Sequence, residues 1–156
     1  MTMKPRGLAA AVTLLSAATT AYEILLVRLL AVEQFHHFAS MVIGIALLGS
    51  GMSGTLAALL PPTNALAAAT RVRWAAAFTA AALVASPWAI HAVRVEPTQL
   101  AWDGAQWPRL AALVVALALP FAAGALATLT AFTVEPERAG RLYGASFAGG
   151  ALGVAL

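Results

Sequence analysis

A chain of 156 residues that is 62% hydrophobic and 10% charged stands apart from average soluble domains, at roughly 45–50% and about 25%. The net charge of +3 comes from nine dispersed Lys and Arg, with no basic run of the kind that binds nucleic acid, and no nucleic-acid partner is expected. Cysteine is absent, which excludes disulfides, thiolate metal sites and cysteine nucleophiles.

The composition predicts an all-α polytopic bundle with the lipid bilayer as solvent. A span of about 20 residues crosses the roughly 30 Å hydrocarbon core at about 1.5 Å per residue. Five segments fit or nearly fit: residues 7–32, 36–60, 72–93, 109–134 and 140–156, after a short tail, 1–6. Strand-like alternation is missing, and helices satisfy their own backbone groups in lipid.

The first apolar run exceeds the roughly 7–15 residues of a signal-peptide core and leads straight into further spans, so it reads as a membrane helix. Within it Thr13, Ser16, Thr20 and Glu23 recur at helical spacing and form one polar stripe. A charged residue at mid-helix costs about 2.5–3.5 kcal/mol, whereas each Leu or Ile offsets only about 0.3–0.6 kcal/mol. Glu23 therefore needs a partner, a proton or a water-filled cavity. Arg28 is the nearest cation in sequence but points about 140° away, and its depth suits snorkelling to headgroups.

The second span opens on Glu33-Gln34-Phe35-His36-His37. Adjacent histidines lie about 100° apart on a helix, which disfavours a shared metal. They read instead as interfacial packing or as proton-sensitive partners of Glu23 or Glu33. Along the same span His36, Ser40, Gly44, Leu47, Gly51, Gly54 and Ala58 share one side, a face small enough for close helix approach. The substring Gly49-Ser50-Gly51-Met52-Ser53-Gly54 matches a dinucleotide fingerprint by letters only, because no strand precedes it.

Pro61-Pro62-Thr63-Asn64 marks the next connection. Pro87 and Pro120 interrupt the third and fourth spans and are expected to kink them; His91 falls near the end of the third. Glu96-Pro97 to Trp107-Pro108 and Glu135-Pro136-Glu137-Arg138 are the remaining loops. The fifth span carries Gly140, Gly144, Ala148 and Ala151 on one side and Ala145, Gly149 and Gly153 on the other, the pattern of a helix packed between neighbours. It stops at Leu156 without a cap or flanking charge, so a longer parent chain is expected.

With the N-terminus cytoplasmic, Lys4, Arg6, Arg71, Arg73, Arg138 and Arg141 lie inside against Arg28, Arg94 and Arg109 outside. The same orientation gathers Trp88, Trp102 and Trp107 at the outer face and leaves Trp74 at the inner one.

Specific residues carry a resemblance. Ala21-Tyr22-Glu23-Ile24 with Val27-Arg28-Leu29-Leu30, His37-Phe38-Ala39, and Ala46-Leu47-Leu48-Gly49-Ser50-Gly51 with Gly54 resemble the membrane-embedded N-terminal region of integral-membrane spermidine-synthase-like proteins. Ala139-Gly140-Arg141-Leu142-Tyr143-Gly144 with Gly149-Gly150-Ala151-Leu152-Gly153 is similar to a later membrane motif of that group. The likeness covers about a third of the chain, and His36 stands where the group more often has an aromatic residue. It implies a parent with more helices and a Rossmann-like aminopropyltransferase domain, whose acidic and catalytic residues have no counterparts here.

The resulting expectation is a non-catalytic membrane module, an anchor or small-ligand portal, without catalytic residues, metal or cofactor. Its candidate polar site is Tyr22, Glu23, Arg28, His36 and His37. Two alternatives stand beside it: part of a secondary transporter with Glu23 as a proton or cation site, and a structural subunit of a membrane complex. Expected partners are further helices or a soluble domain of the parent, or a second copy of the chain. The expected location is a bacterial inner membrane.

Overall fold

A computed structural model of the chain describes residues 5–33, 36–93 and 95–155, with the side chains of 5, 6, 33, 36–39 and 97 outside that description. The described residues form five α-helices and two short 3-10 turns, with no strand. The helices are α1 (Pro5–Glu33), α2 (His36–Leu59), α3 (Ala65–Ala92), α4 (Gln106–Val134) and α5 (Ala139–Ala155).

Local chemistry sets the ends. Pro5 opens α1, where a missing N–H costs nothing. The Pro61-Pro62 pair blocks continuation of α2. Asn64 then caps α3, its side chain accepting from Ala67 N–H at 2.8 Å. That cap, with the alanine-rich run behind it, starts α3 at Ala65 rather than at Val72. Arg71 consequently lies on the helix, as Arg73 does, and not in a loop before it. At its N-terminal end α4 likewise begins at Gln106, ahead of the expected residue 109.

Four helices, α1 to α4, are long and apolar enough to cross a membrane. The fifth has 17 described residues and lies along α1. Its helical neighbours are α1 on one flank and, more lightly, α4. The most buried of the spanning helices is α4, which packs against α3 and α2 and also touches α1.

Two apolar clusters hold the bundle. One joins Tyr22, Leu26 and Leu30 of α1, Val42 and Ile45 of α2, Ile90 of α3, and Leu113, Leu117 and Phe121 of α4. The other, toward the opposite end, joins Leu8, Val12, Val72, Ala131 and Leu142. Leu14, Val32, Leu48, Trp74, Phe78, Trp88, Val115 and Leu152 project outward from all sides, an apolar exterior that lipid solvates and water does not. Among such helices the hydrophobic effect gives no net drive to associate, so close backbone approach and interhelical hydrogen bonds carry the packing.

The α1–α5 pair displays both. A Cβ on Gly149 would collide with the Thr13 carbonyl oxygen, and one on Gly153 with that of Ala17. Thr13 Oγ1 donates to Ala9 O at 3.0 Å and reaches Ala145 O at 3.2 Å, and Ser16 and Ser146 share a hydrogen bond at 2.8 Å. Two further glycines do the same for α4. Gly49 lies where a Cβ would be 2.5 Å from Ala118 O, and Gly124 where it would be 2.9 Å from Thr19 Cγ2.

The other glycines that the sequence marks for packing, Gly44, Gly51, Gly54, Gly140 and Gly144, have nothing among the described residues within 4 Å of an added Cβ. On α2 the side turned to α4 is Val42, Ile45, Ala46, Gly49 and Ser53, so the small-residue face of Gly44, Gly51 and Gly54 points away from the described helices. The reason is volume: Val42 and Ile45 fill the core beside Leu113 and Leu117, which the smaller face could not do.

Candidate functional site

Between the two apolar clusters the bundle is not filled. Ser16, Thr19 and Thr20 of α1, Ser50 and Ser53 of α2, Thr128 of α4 and Ser146 of α5 converge on a cleft of about 680 Å³. Its apolar walls are Phe121, Leu129, Phe147 and Val154, with Gly124 and Gly150 leaving the room. The cleft exists because α2 and α5 do not pack on one another, while α1 and α4 meet only lightly. On α1 these residues flank the helix midpoint, which places the cleft near mid-membrane depth.

A second cavity of about 250 Å³ adjoins it, sharing Thr19, Thr20, Ser50 and Phe121 and adding Glu23, Ile43, Ala46 and Leu47. Glu23 thus lines a cavity that shares four residues with the hydroxyl-lined cleft. Among the described residues it has no ion pair or hydrogen-bonded side chain; the ion pair present, Glu135–Arg138 at 3.1 Å, lies on the connection before α5.

Most hydroxyl protons here are committed. Thr19 donates to Leu15 O at 3.0 Å and lies 3.1 Å from Ser16 O, Ser53 donates to Ser50 O at 2.6 Å, and Thr128 donates to Gly124 O at 3.0 Å. Such back-bonding to the helix leaves oxygen lone pairs available to the cleft. Among the described residues no Lys, Arg, His, Asn, Gln or Trp lines either cavity.

Of the residues expected to form one polar site, Glu23 lines a different space from Tyr22 and Arg28. Tyr22 is buried, 6% exposed, its ring tilted against that of Phe121 with centroids 5.4 Å apart. Its hydroxyl reaches toward Ser86 of α3 without completing a hydrogen bond among the described residues. Tyr22 and Arg28 border a different space, about 400 Å³, with Leu83, Val84 and Gly153. Arg28 is exposed and does not meet Glu23, as the turn of the helix requires. His36 and His37 begin α2, and their side chains fall outside the described residues. No group of three or more His, Asp or Glu comes together among the described residues.

Ser50, Ser53, Thr19, Thr128 and Ser146 carry no mark in the sequence reading. Their signal was available as hydroxyl residues recurring once per turn within the spans, but only the packing of four helices shows that they face one another.

No family model, curated protein or solved structure matches the chain. The fold and the cleft therefore stand on their own geometry.

Proposed function

We propose that the chain is a non-catalytic membrane module that holds a small polar ligand in the cleft between α1, α2, α4 and α5. The carrying observation is the hydroxyl-lined cleft at mid-bundle, with Glu23 lining the cavity beside it. Its volume falls within the roughly 300–1,000 Å³ of small-molecule sites. Polar side chains inside a membrane are expensive unless they face protein or a wet cavity, and seven hydroxyls turned to one space fit that rule. The Tyr22-Glu23 and Gly149 to Gly153 segments support, as a resemblance, a spermidine-synthase-like parent in a bacterial inner membrane, and the placement of Lys and Arg supports a cytoplasmic N-terminus.

The absence of cysteine gives a clean test. Ala151→Cys and Ser50→Cys, both at the cleft, should react with a water-soluble thiosulfonate in intact membranes, whereas Leu14→Cys on the outer face of α1 should not. Equal silence at all three positions, with every thiol reactive after denaturation, would refute a ligand-accessible cleft. Aminopropyl transfer from decarboxylated S-adenosylmethionine by this chain should be undetectable, and turnover would contradict the non-catalytic reading.

A second reading is favoured by Glu23 bordering a cavity with no cation beside it among the described residues: part of a proton- or cation-coupled transporter. In liposomes, a sodium pulse would then shift the lumenal pH, an effect lost in Glu23→Gln and kept in Thr79→Ala, whose hydroxyl is spent on Ala75 O.

A further inference from the structure

Resting on the ligand cleft proposed above, we infer that its occupant is a small organic cation with one ammonium group and an apolar body. The argument is one of hydrogen-bond sign. Thr19, Ser53 and Thr128 have given their protons to helix carbonyls, and the hydrogen bond between Ser16 and Ser146 spends one of their two protons and leaves the other free. Thr20 and Ser50 keep rotatable hydroxyls that accept as readily as they donate. Among the described residues no obligate donor side chain lines the space, and the acidic side chain nearest to it is Glu23, in the adjoining cavity. An anion would enter a site whose described lining offers nothing to neutralise it. An ammonium group, all donors and no acceptor, is the complement of this lining.

The walls decide between an organic ion and a metal ion. An alkali or divalent cation takes several oxygen ligands at short, convergent distances. Here the oxygens are spread over four helices around about 680 Å³, and the rest of the lining is dominated by Phe121, Leu129, Phe147 and Val154. Phenyl faces attract an ammonium and bury alkyl carbon with equal ease. The number of charges follows as well. With Glu23 alone to pair, the second charge of a diammonium would lie unpaired against apolar walls inside the bilayer, which is costly. A monoammonium is therefore preferred over a diammonium with the same carbon chain.

The test uses the Ala151→Cys chain in lipid nanodiscs and the modification rates of a cationic and an anionic thiosulfonate. Converting Glu23 to Gln in that background should lower the cationic-to-anionic rate ratio by about tenfold, the scale of focusing by a charged cleft. Glu23→Asp should keep most of the ratio. n-Butylammonium should slow modification saturably; n-butanesulfonate, sodium and 1,4-butanediammonium should protect less. Butanesulfonate protecting as well as butylammonium, or a ratio indifferent to Glu23→Gln, overturns the inference and leaves the cleft standing. Sodium or the diammonium protecting equally overturns the single-ammonium assignment. If the introduced thiol reacts with neither reagent in the folded chain, the cleft reading itself fails. Unchanged thermal unfolding of Glu23→Asp and Glu23→Gln excludes misfolding as the cause.

Discussion

Glycines that look alike in the sequence differ by what lies within 4 Å of a missing Cβ. Gly49→Ala, Gly149→Ala and Gly153→Ala each drive a methyl group against a backbone carbonyl, which cannot move aside as a flexible side chain could. Each should destabilise the bundle by about 1–3 kcal/mol, the usual range for overpacking. Gly44→Ala and Gly51→Ala meet open space and should be neutral or stabilising by up to about 1 kcal/mol, since alanine is the better helix former. Thermal unfolding of the five variants in one detergent checks the contrast, and a uniform response would contradict the packing. The sequence shows which residues are small; which of them a neighbour approaches depends on helix rotation, and that is set by Val42 and Ile45 competing for the core.

Within α3, the interruption at Pro87 is repaired locally. Proline has no N–H to give the carbonyl of Leu83, and the hydroxyl of Ser86 donates to that oxygen instead, at 2.9 Å. Ser86→Ala should leave the carbonyl unsatisfied at a cost of about 1–3 kcal/mol. Restoring the donor in Ser86→Ala/Pro87→Ala should recover most of the loss in thermal unfolding. The connection before α4 has its own fastening. Asp103 accepts from Ala105 N–H at 2.9 Å and from the Gln106 side chain at 3.1 Å, while Gln106 accepts from Glu96 N–H at 3.3 Å. The Ala105 and then the Gln106 hydrogen bonds, and more weakly Arg109, hold the Asp103 carboxyl below its ordinary pKa. A depressed folded value means that the contribution is complete above the ordinary carboxylate range and is lost only as pH falls through the lower folded value. The Ala105 amide resonance should titrate below the usual range for Asp, and the step should vanish in Asp103→Asn.

For the molecule as a whole, apolar residues project from every helix, including Leu14, Val32, Leu48, Phe78, Val115 and Leu152. The chain should stay in the membrane pellet after an alkaline carbonate wash and precipitate when detergent is withdrawn; a folded, detergent-free monomer would contradict the membrane fold. Two apolar clusters brace the ends of the bundle, and the hydroxyl cleft lies between them. That arrangement packs side chains at both ends of the cleft and leaves its centre open.

The helical class and the approximate limits of α1 and α2 follow from composition and span length, because a bilayer admits few other solutions for so apolar a chain. The early start of α3 was legible in Asn64 and the alanines after it. The polar stripe on α1 was legible too, since helical periodicity alone groups Thr13, Ser16, Thr20 and Glu23. What periodicity cannot supply is the neighbour. That α5 rather than α2 lies along Thr13 and Ser16, that Tyr22 and Glu23 border separate cavities, and that Ser50, Ser53, Thr128 and Ser146 meet across the cleft are outcomes of helix packing. In lipid, where hydrophobicity does not choose between apolar faces, only fit between whole helices makes that choice.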